Sequence, residues 1–291
     1  MTADQILAAR HYSQIFKSRE RLKQYYINLC KVYHPDLHFN NEMASEIMSK
    51  INVLYEQAQK THDLITFKGK ELIPLYQTKR LTICEAGVLI QPANMDRYLD
   101  HIKFSYTSER MEKEFSRYFP RNVMREGDLL LLEIPNLYSF REIQERGSMD
   151  PVHLAWLMNR LFNIAMYLDH YHLMHGGLTL DNLLFDPASH TVYLLGGWEH
   201  LTKYGQAMKS IDREVYDLLS YSSKYGNKAD PKADLASILL IGQKLLSDEK
   251  HPFHSFLAES HVSVLDAYQK WGHLLETQFG KRRFVEYAFW R

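Results

Sequence analysis

Two stretches of the chain gather residues whose types suit chemistry. His34-Pro35-Asp36 places an imidazole and a carboxylate on either side of a proline. Further on, His175-Gly176-Gly177 is followed by Asp181-Asn182, Asp186 and, past Gly196-Gly197-Trp198, Glu199. Side-chain oxygens of that kind are what a hard divalent cation takes as ligands. Other candidates fall away. His251-Pro252-Phe253-His254 has no thiolate or carboxylate near it at ligand spacing, so it reads as no metal site. Cys30 and Cys84 are the only cysteines; they form no Cys-x-x-Cys and read as free thiols of a cytoplasmic protein. Lysine plus arginine equals aspartate plus glutamate, 35 each, which argues for neither nucleic acid nor an anionic membrane as partner. The basic run Lys281-Arg282-Arg283 lacks interleaved aromatics and reads as solvated surface.

The elements that must position these residues follow from apolar spacing. Arg19 to Tyr33 carries apolar residues at Leu22, Tyr25, Tyr26, Leu29 and Tyr33, one buried face per helical turn. After a polar loop, Leu37 to Met43, the set Ala44, Ile47, Met48, Ile51, Leu54, Tyr55 and Ala58 repeats the pattern. Two such helices form an antiparallel hairpin with His34-Pro35-Asp36 at its tip. Without the flanking helices the tripeptide would read as a helix-ending turn. Asp4 to Phe16 is expected to be an opening helix across the hairpin. Helical spacing lapses near Lys68-Gly69-Lys70, and a boundary near residue 66 gives domains 1–66 and 67–291. Strands are expected at 81–84, 87–90, 98–106 and 128–134, with one helix at 108–118. Asp150-Pro151 caps a long helix running to Tyr171. The fold class is α+β. The start shows no basic region before an apolar run, and no apolar run approaches the roughly 18 residues of a membrane span.

The first domain resembles a J domain, the Hsp70-activating module of DnaJ-like co-chaperones. The resemblance rests on Tyr26, Leu29, Tyr33-His34-Pro35-Asp36, Lys50-Ile51-Asn52 and Tyr55-Glu56. It implies that the loop tripeptide and the second helix dock on a DnaK-type Hsp70 and stimulate its ATPase. His34, Pro35 and Asp36 would make that contact, with Lys23 and Lys31 adding charge. The sequence departs from the family at Gln24, Ile27 and Asn28, where the second helix commonly carries lysine or arginine, so steering by charge should be weaker. Neither a Gly/Phe-rich linker nor a cysteine-rich zinc region follows, which points to a specialised adaptor.

The second domain resembles a protein kinase whose loops have changed. The pattern H-R-D-x-x-x-x-N maps onto His175 and Asn182 and puts Gly177 at the catalytic aspartate. D-F-G maps onto Gly196-Gly197-Trp198 and puts Gly196 at the metal-binding aspartate. Leu129 to Ile134 and Pro135 to Phe140 resemble the last small-lobe strand and the hinge. Lys232 to Ile238 resembles the helix whose aspartate, here Asp234, anchors the large lobe. Ile102-Lys103 resembles the end of the strand-3 lysine motif, with Glu114, or its rival Glu112, as ion-pair partner. Glycine supplies neither a metal ligand nor a base. Glu85-Ala86-Gly87 offers one glycine where a phosphate loop has several, which speaks against magnesium-supported ATP binding. The resemblance therefore implies a pseudokinase: a two-lobed scaffold for a protein target, with no catalytic residue, metal or cofactor. Asn182 would bond its own loop, and His175 and Trp198 would be structural. Two alternatives stand beside this reading. One is an atypical kinase or nucleotidyl transferase holding metal through Asp181, Asp186 and Glu199. The other is an interaction protein in which both ancestral activities are lost.

Overall fold

The computed structural model describes residues 1–10, 12–16, 21–37, 42–59, 64–147, 149–246, 248 and 250–280. Its contacts divide the chain into Met1–Tyr76 and Gln77–Arg291. The division falls ten residues beyond the expected 66, because a hairpin at 65–72 goes with the first unit.

The first unit opens with α1 (Ala3–Ala8), started by a capping box in which Thr2 and Gln5 satisfy each other's backbone N–H groups. Helix α2 (Leu22–Tyr33) and helix α3 (Glu42–Gln59) form the expected pair. The opening helix is shorter than expected. It ends at Ala8, Ala9 is extended, and a 3-10 turn follows at Tyr12–Gln14. The break lets Ile6 on one side and Ile15 and Phe16 on the other enter one core with Ile47, Ile51 and Leu54. Strands β1 (Ile65–Phe67) and β2 (Lys70–Leu72) pair around Lys68-Gly69, both at positive φ, a backbone that suits a two-residue hairpin turn.

A five-stranded sheet, belonging to the second unit save for Pro74–Tyr76, runs β3 (Pro74–Gln77), β4 (Leu81–Cys84), β5 (Gly87–Ile90), β7 (Leu129–Leu132), β6 (Met124–Glu126). The chain passes from the first unit to the second within β3. The strand expected at 98–106 is absent; helix α4 (Met95–His101) occupies its first part. Asn94 accepts the Arg97 N–H and starts that helix, and Tyr98 is fully buried from it. Helix α5 (Glu109–Phe115), capped by Ser108, continues into a 3-10 turn at 116–118 and matches the helix expected there.

The rest is mostly helical: α6 (Phe140–Arg146), α7 (Pro151–His170), α8 (Arg213–Leu218), α9 (Tyr221–Gly226), α10 (Ala233–Leu245), α11 (Pro252–Ala258) and α12 (Val264–Phe279). Asp150 caps α7 as its sequence indicates. Leu154, Leu157, Leu161, Ile164 and Leu168 on α7 are buried, each contributing roughly 1.5–3 kcal/mol. Short strands β8 (Tyr138–Ser139), β10 (Leu183–Asp186) and β11 (Thr191–Leu194) form one small sheet; β9 (Leu173–Met174) and β12 (Thr202–Lys203) form another. Together these two ladders frame the segment 175–182. No helix among the described residues is long and apolar enough to cross a membrane.

Candidate functional site

His34 ends α2. Its N–H donates to the Cys30 carbonyl, and its extended backbone turns the chain into a 3-10 turn at Pro35–Leu37. The Leu37 N–H donates to the His34 carbonyl and closes that turn. The Asp36 N–H lies 3.3 Å from His34 Nδ1, and the Asp36 carboxylate lies 3.4 Å from the same nitrogen. The imidazole is 46% exposed and the carboxylate 83%. The tripeptide thus forms a closed turn with both polar side chains presented to solvent. Behind it, Tyr26 stacks on Tyr55 at 4.1 Å and donates its hydroxyl to Asn52, tying α2 to α3. On the outer face of α2, Lys23 and Lys31 are exposed, and Gln24 donates to Asn28 at 3.1 Å.

The segment 175–182 is built the opposite way, with its polar groups buried. Asp234 at the start of α10 accepts the N–H of His175 at 2.6 Å and of Gly176 at 3.3 Å. Burial pushes the Asp234 carboxyl up to about 6 against the pull of those two donors. His175 is fully buried, and Trp198 stands edge-on to its ring at 4.6 Å. Burial first, then the charges of His200 and His101, hold the imidazole well below its usual range, so it stays neutral. Asn182 donates to the Gly177 carbonyl at 2.8 Å, bonding its own loop. Its Oδ1 is buried without a hydrogen-bond partner. The two glycines stand close against this side chain and its neighbours. A Cβ on Gly196 would lie 2.2 Å from Asn182 Oδ1, and one on Gly177 would lie 3.0 Å from the His200 ring and 3.1 Å from Gly197 Cα. The space that two aspartates would need is filled by Asn182, His200 and the opposing backbone.

The expected pair of Lys103 with Glu114 does not form. Lys103 follows α4 and not a strand, and its ammonium meets Asp100 at 2.6 Å, one turn back. Glu114 meets Arg117 at 2.6 Å, and Glu112 makes no ion pair with Lys103. Both pairs are local and solvent-exposed, as helix-end charges commonly are. Asp181, Asp186 and Glu199 each have a separate partner. Arg141 clamps Asp181; Asp186 accepts the Ala188 N–H; Glu199 accepts the Ala93 N–H. No three His, Cys, Asp or Glu residues among those described are grouped to hold a metal ion. His251 caps α11 through its ring nitrogen. The basic run 281–283 lies outside the described residues.

One cluster was not anticipated. Arg141 grips Asp181 through Nε at 2.9 Å and Nη2 at 3.2 Å, and also reaches Glu214 at 3.1 Å. Lys244 joins Glu214 at 3.0 Å, and Lys79 lies 3.4 Å from Asp181 and 3.7 Å from Glu214. Burial raises the Asp181 carboxyl, but the hydrogen bonds and charge of Arg141, with Lys79 behind, outweigh it and leave it below its usual range. These residues stand far apart in the chain with no shared motif, so no spacing could announce them. Neither a scan against protein-family models nor a search of the curated proteins returns a match to this chain.

Proposed function

We propose that the chain is a J-domain co-chaperone. Its first unit docks on a DnaK-type Hsp70 through His34, Pro35 and Asp36 and stimulates that partner's ATPase. Its second unit is a kinase-like scaffold, without phosphotransfer of its own, that binds a protein target. The observation that carries the reading is the exposed His34-Pro35-Asp36 turn between paired helices whose inner faces share one core. All bond-making in this scheme belongs to the Hsp70. The chain acts as a ligand that favours its hydrolysing state.

The inactive reading of the second unit draws on three further features. A kinase places its phosphate-pairing lysine on the third small-lobe strand. On the kinase-like reading the third strand of the sheet corresponds to β5, and the residue that follows Ile90 is Gln91, an uncharged amide, while Lys103 lies outside any strand. Gly177 and Gly196 lie where a carboxylate would collide with neighbours. Asp234 holds the 175–176 backbone, as the anchoring helix of such a lobe would. The test is single-turnover ATP hydrolysis by a bacterial-type Hsp70 with the wild-type chain and with Asp36→Asn. Stimulation by the wild type that falls to the unassisted rate in the variant is expected. Equal stimulation by both would remove the J-domain reading.

A further inference from the structure

We propose that the β3–β4 turn, Thr78 to Arg80, is a latch that holds the five-stranded sheet shut against the 175–182 loop, with Asp181 as its receiver. The latch rests on geometry alone; only the comparison of its two sides with the walls of a nucleotide cleft rests on the kinase-like reading.

The turn is tight. The Thr78 N–H donates to the Leu81 carbonyl at 2.8 Å, leaving Lys79 and Arg80 as the two loop residues. The Thr78 hydroxyl then serves both sides of the gap. It accepts the Leu81 N–H at 3.1 Å and donates across to the Asp181 carbonyl at 2.9 Å. Thr78 is only 9% exposed, so water is poorly placed to replace that bond. Asp181 is itself immobilised. Arg141 on α6 holds its carboxylate in two-point fashion, and Arg141 is shared with Glu214 on α8, which Lys244 on α10 also grips. A loop residue fixed to three helices is a firm catch for a turn of the sheet.

Magnitudes separate the two contacts. Lys79 is 61% exposed, and an ion pair open to solvent at 3.4 Å is worth little. The hydroxyl bridge is enclosed, and losing it strands two buried backbone groups, the Leu81 N–H and the Asp181 carbonyl. Thr78 should therefore carry the latch and Lys79 only trim it.

Native-state hydrogen exchange on the full chain tests this. In the wild type at low denaturant, amides of 78–81 and 179–183 are expected to open together, with one free energy and one denaturant slope, below that of α7. Separate openings for the two segments would overturn the latch without any variant. Thr78→Val keeps the shape and removes the hydroxyl; it should speed exchange in both segments at least about tenfold, while Thr78→Ser and Lys79→Ala stay within about threefold of wild type. Faster exchange confined to 78–81 in Thr78→Val, or a larger effect from Thr78→Ser than from Thr78→Val, would make Thr78 a turn or packing residue only.

Discussion

Asp234 shows how one carboxyl can organise a loop and tax it. Its two acceptor bonds fix the His175 and Gly176 backbone, yet burial lifts its titration from 3.8 to about 6. The folded chain therefore keeps this proton to a higher pH than the unfolded chain does. Between pH 4 and 6 the folded state binds more protons, so the Asp234 contribution to stability falls as pH rises through that window. The distance from 3.8 to about 6 corresponds to about 3 kcal/mol. Urea unfolding of wild type and Asp234→Asn at several pH values should show the wild type gaining on the variant by about that amount from pH 7 down to pH 4. His175 and the surface groups act alike in both and cancel. A difference that stays level with pH would mean the carboxyl is ionised throughout. Gly196 makes a second, steric case. Its substitution by alanine places Cβ against Asn182 Oδ1, and overpacking of this kind costs about 1–3 kcal/mol. Gly196→Ala should lower the urea midpoint accordingly, and Gly196→Asp should lower it further. An unchanged midpoint would show that Asn182 moves aside freely.

At the scale of elements, the proposed docking on an Hsp70 rests on α2. Its outer face centres on the Gln24–Asn28 amide pair, with Lys23 and Lys31 the exposed cations of the helix. Few charges mean little long-range attraction to lose on screening. Affinity for the Hsp70 should fall less than about tenfold between 50 and 300 mM salt, measured by titration calorimetry; a steeper fall would mean that charges elsewhere steer the encounter. The same helix shows what spacing can reveal. Tyr26, Leu29 and Tyr33 on one side and Ile47, Ile51 and Leu54 on the other were legible because each helix buries one face, and a one-sided face leaves a period. Helix α4 was not legible, because Tyr98, Ile102, Phe104 and Tyr106 suit a strand by type, while the deciding feature is the Asn94 side chain closing the first turn. The β1–β2 hairpin, with strands of three residues each, is too short to show alternation, so in the sequence Lys68-Gly69 marks only a lapse of helical spacing. The glycines at 177 and 196 were readable as losses, but not as sites already filled by Asn182 and His200. The Asp181 cluster joins positions 79, 141, 181, 214 and 244, and a sequence carries no period at such distances.

For the whole molecule, the proposed adaptor role needs the first unit to be a folded body in its own right. Among the described residues, one core of the first unit gathers side chains of α1, the 12–16 turn, α2 and α3, from Ile6 to Ala58. Ile51 lies at its centre and is fully buried. Ile51→Ala should cost that unit about 2–4 kcal/mol through lost burial and the cavity left behind. The chain supplies its own reporters for where this cost is felt. All four tryptophans, Trp156, Trp198, Trp271 and Trp290, come after Gln77, so tryptophan fluorescence follows the second unit, while far-UV circular dichroism follows the helices of both. In urea, Ile51→Ala is expected to shift an early loss of helical signal to lower concentration and to leave the fluorescence midpoint in place. A fluorescence midpoint that moves in step would mean that the two units unfold as one. In that event a change at the His34 loop would be felt by the second unit, which under the proposed function would then report on Hsp70 docking as well as hold a target.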